Sequence, residues 1–219
     1  MAQSNYDKVF EEIYRKMDTM LDSKTAVEEL KVLYKNGKST KEDHVTLAGF
    51  AVNHAETSGC TACCAIITQD KIFVGNLGDS RAVLAKTQGS DSDLRKDQLE
   101  AIDMSIDMKP DLECERKRII AAGGEVLMGR VDGGLSLSAA IGDKQYKRRH
   151  DLPPEMQKVT IVPQVHIQNL NKDCKFLILA CDGIWDCKSS QQTVDFFTKK
   201  LWSEHKHPFT KICSKEDVA

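Results

Sequence analysis

Three aspartates follow apolar, strand-like runs closely enough to present carboxylates at a strand end. In Phe176–Asp186, FLILACDGIWD, the apolar run leads through Cys181 into Asp182, and Asp186 lies four residues further on. Phe176 to Ala180 is apolar on both faces, the pattern of a buried central strand covered on both sides. Gly183 permits a tight turn, so Asp186 is expected to fold back beside Asp182. Two carboxylates about 4 Å apart repel by about 4 kcal/mol at an effective dielectric of about 20, and protonation or an intervening cation relieves that cost. Hard oxygen donors without a nearby His suit Mg²⁺ or Mn²⁺ better than zinc. Asp79 repeats the arrangement in KIFVGNLGDSR: a strand, a glycine, an aspartate. Taken singly, each aspartate reads as a turn cap; the combination of three points to a metal site.

Other reactive side chains are weaker candidates. Cys60-Thr61-Ala62-Cys63 matches a CxxC pair, but no second pair or His cluster at zinc-finger spacing accompanies it. The eight Cys include several within apolar runs, where reduced thiols act as small hydrophobes. His44 and His54 flank VTLAGFAV with no carboxylate or Cys at ligand spacing. Asp143, in IGD, reads as a turn-former at least as readily as a site residue.

The elements that must position these residues follow from periodicity. Tyr6, Val9, Phe10, Ile13, Met17, Met20 and Leu21 recur every three or four residues, giving a core-packing helix over 6–21. A second helix covers TAVEELKVLYKNG, closing where Asn36 and Gly37 tolerate a left-handed cap. TACCAIIT, KIFVGNLG and RAVLAKTQG read as strands whose short connections make them antiparallel neighbours. DLECERKRIIAAGG is a helix beginning at Asp111, with Ile119 and Ile120 on its apolar side. EVLMGRVDGG suggests a hairpin, and Pro163 assigns VTIVPQVHIQNL to an edge or a bulge. SSQQTVDFFTKKLW is a helix capped by Ser189 or Ser190, with Val194, Phe196, Phe197 and Leu201 to bury. Helices first and last around short antiparallel strands indicate an α+β layered domain rather than a doubly wound one.

The chain has 219 residues, 41 % hydrophobic and 29 % charged, which fits one packed domain. Its 31 Lys and Arg nearly balance 33 Asp and Glu, so no global field favours nucleic acid or an anionic membrane. Apolar runs fall far short of the roughly 20 residues that span a bilayer. The charged, helical opening segment lacks the apolar block of a secretory signal, so a cytoplasmic or nuclear location is expected.

Five segments, SGCTACCAIIT, NLGDSRAVL, SIDMKPD, GGLSLSAAIGD and FLILACDGIWD, occur in the order and approximate spacing of the type 2C metal-dependent serine/threonine protein phosphatases, and the chain resembles that family from about Lys8 to Trp202. The resemblance implies a β-sandwich of two antiparallel sheets flanked by helices (α/β/β/α), with divalent metals in a cleft at one end and a phosphoprotein as substrate. It implies that Asp182 binds metal in a two-ion centre whose bridging water attacks phosphoserine or phosphothreonine. It further implies a third metal position at Asp79, Asp182 and Asp186. The family's phosphate-binding Arg, its D-G-H-G-G motif with an acid His, and its late G-x-x-D-N segment have no counterpart in these 219 residues. Residues 1–219 are therefore expected to form one phosphatase-like domain without some terminal strands, either weakly active or an inactive binding module. Ala139 stands where the family usually has Arg, and Met108 where it usually has His.

Overall fold

The computed structural model describes residues 3–36, 54–87 and 99–204. Helices α1 (Gln3–Met20), α2 (Lys24–Asn36) and α3 (His54–Thr57) precede strands β1 (Gly59–Cys60), β2 (Ala62–Ile67), β3 (Lys71–Leu77), β4 (Arg81–Thr87) and β5 (Leu99–Asp103). Helix α4 (Glu113–Ala121), the hairpin β6 (Val126–Leu127) and β7 (Arg130–Val131), and β8 (Ile141–Gly142) follow. The order closes with β9 (Gln164–Asn169), β10 (Cys174–Ala180), α5 (Asp182–Trp185) and α6 (Ser190–Glu204). The expected cap at Gly37 and the segment holding His44 lie outside the described residues.

Two antiparallel three-stranded sheets, ordered β2-β3-β9 and β10-β4-β5, stack face to face. Strand periodicity builds the layers. On β3, Ile72 and Val74 face Ala82 and Leu84 of β4, together with Met104, forming the seam between the sheets. The alternate residues Phe73 and Leu77 face outward onto Phe10 and Tyr14 of α1. On β4, Val83 and Ala85 face the other way, onto Leu99, Trp185 and Val194 of α6. The result is the expected α/β/β/α stack, with each central strand buried on both faces.

Helix α1 sits close to its sheet. Tyr6 stacks on Phe73 with ring centroids 3.8 Å apart, and the Tyr14 hydroxyl donates to the Gly75 carbonyl at 2.9 Å. A Cβ on Gly75 would come within 2.4 Å of the Phe10 ring, so glycine is what admits the helix. A fourth apolar cluster, Ile119, Val131, Ala140 and Val159, holds α4 and the β6–β7 hairpin to the 137–161 segment.

Four expectations need correction. Strand β10 is not central among the described residues: there it pairs only with β4, and Leu179 is exposed. Its apolar character reflects packing between sheet and helix, which periodicity alone does not separate from a central position. Helix α4 begins at Glu113 with Leu112, not Asp111, at the N-cap position and no side-chain cap, and Ile120 is exposed while Ile119 is buried. Helix α6 buries Val194, but Phe196 and Phe197 are exposed and pack on each other edge to face. Its start is as expected: the Gln192 N–H donates to Ser189 Oγ at 3.2 Å and the Ser189 N–H to Gln192 Oε1 at 3.0 Å, a reciprocal cap.

Candidate functional site

Strand register brings the candidate aspartates to one rim of the sandwich. Arg81, the first residue of β4, pairs with Ala180, the last of β10. Asp79 and Asp182 each lie two residues beyond that pair, so both emerge at the same end. Strand β5 also exits there, its last residue Asp103 opposite Val83 and the Met104 N–H donating to the Ala82 carbonyl at 2.8 Å.

The β3–β4 turn is built on Gly78, at φ 101, where a Cβ would meet Thr61 Cγ2 at 2.5 Å. Its carbonyl accepts the Met108 N–H at 2.9 Å and an Asn76 amide hydrogen at 3.1 Å. These bonds lay the 105–109 segment beneath the turn and bring Lys109 to Asp79. The Lys109 ammonium donates to Asp79 Oδ2 at 2.5 Å, and the Asp79 side chain is only 5 % exposed. Burial acts to lower the Lys109 ammonium, but the bond and charge of Asp79, joined by Asp186 and Asp107, outweigh it and leave the pKa raised.

A second cation organises the same rim. Arg81 donates from Nε and Nη2 to the two oxygens of Asp107 at 2.9 and 2.8 Å, and from Nη1 to Ser190 Oγ at 3.0 Å. Its guanidinium lies 5.3 Å from the Trp185 ring centroid, and the Trp185 indole N–H donates to the Ala180 carbonyl at 2.7 Å. Ser190 passes the network on by donating to Asp103 at 2.6 Å. The hydrogen bond to Asp107 is the main reason the guanidinium pKa is raised, with the charges of Asp107, Asp103 and Asp186 adding to it. The field of Asp186 thus reaches both cations.

Asp182 and Asp186 bracket one turn of helix, α5, and the Asp186 N–H donates to the Asp182 carbonyl at 2.8 Å. The expected proximity therefore comes from helical i, i+4 spacing rather than from a glycine bend. A Cβ on Gly183 would meet nothing nearer than Cys181 Sγ at 3.6 Å. Both aspartates are exposed, whereas Asp79 is buried. The carboxylate donors suit a hard divalent ion in kind. In arrangement they do not yet form a cage: among the described residues no group of three or more His, Cys, Asp or Glu side chains is gathered for an ion, and the Asp79 carboxylate is held by Lys109.

The remaining candidates lie elsewhere. Asp143 sits at φ 48 at the start of a short 3₁₀ turn against Gly59, which is the turn-forming one of the two readings left open for it. Burial, with the charge of Asp18 behind it, outweighs Lys147 and raises its carboxyl pKa. Cys60 and Cys63 are free thiols, and burial, foremost, lifts Cys63 to about 12. A cleft of about 800 Å³ opens beside α1, lined by Arg15, Lys144, Lys147, Arg148 and Arg149 among others. Each of these five cations is paired to a carboxylate, so the cleft is an ion-pair network rather than a phosphate cradle. Sequence reasoning missed Lys109, Arg81 and Asp107. The one available signal was the density of charge in SIDMKPD and GDSR, two segments that meet only in the fold.

Residues 3–218 match the family model described as protein phosphatase 2C. The chain belongs to the protein phosphatase 2C family. It is 48 % identical over 159 residues to Probable protein phosphatase 2C 21 of Arabidopsis thaliana, covering 73 % of this chain and 41 % of that one. It is 51 % identical over 147 residues to Protein phosphatase 2C homolog 2 of Schizosaccharomyces pombe, covering 67 % of this chain and 37 % of that one. The crystal structure of a serine-threonine phosphatase 2C from Toxoplasma gondii superposes with a TM-score of 0.62 over 93 % of this chain and 58 % of that chain, at 21 % identity, a likeness of fold. The chain thus spans about two fifths of the length of these curated relatives. Protein phosphatase 2C enzymes are metal-dependent hydrolases of phosphoproteins. No helix among the described residues is long and apolar enough to cross a membrane.

Proposed function

We propose that this chain contributes the carboxylate rim of a metal-dependent protein serine/threonine phosphatase that hydrolyses phosphoserine and phosphothreonine in phosphoproteins of the cytoplasm or nucleus. The observation that carries the reading is the convergence of strand ends bearing Asp79 and Asp182 at one rim, in a chain matched to the family over residues 3–218. On this reading residues 1–219 form one phosphatase-like domain, and Mg²⁺ or Mn²⁺ is the cofactor, met by Asp79, Asp182 and Asp186. The chain's own contribution is orientation. Arg81, held by Asp107 and Ser190, packs on Trp185 and so fixes the turn that carries Asp182 and Asp186. The test is phosphate release from a phosphothreonine peptide. Slow, Mn²⁺-dependent release is expected, reduced roughly ten-fold or more by Asp182→Asn. Release indifferent to both Mn²⁺ and that substitution contradicts the proposal.

A further inference from the structure

Resting on that reading, we propose that the tip of the β6–β7 hairpin, Met128 with Leu127, is a specificity contact: it takes an apolar side chain of the phosphoprotein substrate about three residues from the phosphorylated one.

The tip has a cost that packing within the fold does not offset. Met128 and Gly129 form the two-residue turn between the paired Leu127 and Arg130, and both have positive φ, 50 and 74. That is the type I′ pattern, whose first position favours Asn or Asp, the short side chains that tolerate the left-handed region. Met128 is instead a long apolar side chain, held left-handed and 101 % exposed. Leu127 beside it is 47 % exposed. Backbone strain and apolar exposure thus coincide at one residue.

The stalk beneath the tip is firm. Val126 and Val131 pack with Ile119 and Val159. The Asp132 N–H donates to the Glu125 carbonyl at 2.9 Å, and the Glu125 N–H donates to Asp132 Oδ1 at 3.0 Å. Met128 is therefore presented at a fixed place.

That place identifies the occupant. A Cβ on Gly129 would come within 2.8 Å of Asp111 Oδ2, so the hairpin turn lies against Asp111. Asp111 belongs to the turn closed by the Leu112 N–H on the Lys109 carbonyl at 3.1 Å, and the Lys109 ammonium reaches Asp79 at the rim. The tip thus stands on the order of 10 Å from the rim, the span of about three residues of extended peptide. A substrate that offers its phosphoresidue to the rim carries a neighbouring residue across Met128, and an apolar side chain there covers the surface that the fold leaves open.

The measurement uses two phosphothreonine peptides of equal length and net charge, with either leucine or serine at the third position on each side of the phosphothreonine. Phosphate release by the full chain with Mn²⁺ gives KM, and fluorescence anisotropy of the labelled peptides gives Kd. The leucine peptide is expected to show both about ten-fold lower than the serine peptide. Met128→Asn is expected to erase that preference while raising the melting temperature, because asparagine suits the turn; Met128→Leu is expected to keep the preference. Equal affinity of the unaltered chain for the two peptides, or a preference that survives Met128→Asn, overturns the proposal. So does a dimer in sedimentation that Met128→Asn separates into monomers, since the tip would then be covered by a second copy. A leucine preference in anisotropy without Mn²⁺-dependent release overturns the phosphatase reading and leaves the peptide contact standing; release without the preference does the reverse.

Discussion

At the residue scale, burial alone does not sort the carboxylates: Asp79 and Asp143 are both buried, but only Asp79 lies at the rim shared with Asp182. Asp143 is buried, left-handed at φ 48, and its carboxyl pKa is raised because burial and Asp18 outweigh Lys147. A carboxyl raised in the folded state contributes stability that is fully present below its unfolded pKa and is lost as pH rises through the folded value. Asp143→Asn removes that charge and keeps a residue tolerant of the left-handed region. Thermal unfolding should therefore show the variant more stable at pH 7, by roughly 1 kcal/mol, with the gain shrinking towards pH 4. An equal effect at both pH values would show that the carboxylate is not held against its charge. Asp79, Asp182 and Asp186 could be picked out from sequence because each follows a strand-like run. Lys109 could not, because its partner lies thirty residues away on another turn, and the two meet through the hydrogen bonds that tie residues 105–108 to the β3–β4 region, the Met108 to Gly78 bond among them.

At the element scale, the fit of α1 on the β2-β3-β9 sheet depends on the missing side chain of Gly75. A Cβ there would stand 2.4 Å from the Phe10 ring and would disturb the carbonyl that accepts the Tyr14 hydroxyl. Gly75→Ala is expected to destabilise the fold by about 1–3 kcal/mol in denaturant unfolding, and a neutral result would mean that the helix docks less closely. The helix itself was legible, since its apolar face repeats at helical spacing. So was the Ser189 cap. What the pattern did not convey was which apolar residues find a partner: among the described residues Phe196 and Phe197 have the spacing of a buried face and are exposed, and β10 has the composition of a central strand and pairs on one side. Periodicity reports a residue's side of an element, whereas burial depends on what another part of the chain lays over it.

At the scale of the whole molecule, the sandwich serves to bring three strand ends to one rim. The α+β class was legible because helices bound a block of short strands, and the layer order was expected from the family resemblance. The rim's wiring was not, since Arg81 and Asp107 lie 26 residues apart, and Arg81 and Ser190 lie 109 apart. On the proposed function, this rim, and not the acidic residues beside the α1 cleft, receives the divalent ion. Paramagnetic broadening of amide resonances by Mn²⁺ in the ¹⁵N-labelled chain tests it most directly. Signals from Gly78–Ser80 and Asp182–Asp186 are expected to broaden at Mn²⁺ concentrations that leave Asp18 and Asp22 sharp. Broadening that begins at Asp18 and Asp22, or spreads uniformly over the chain, would contradict it.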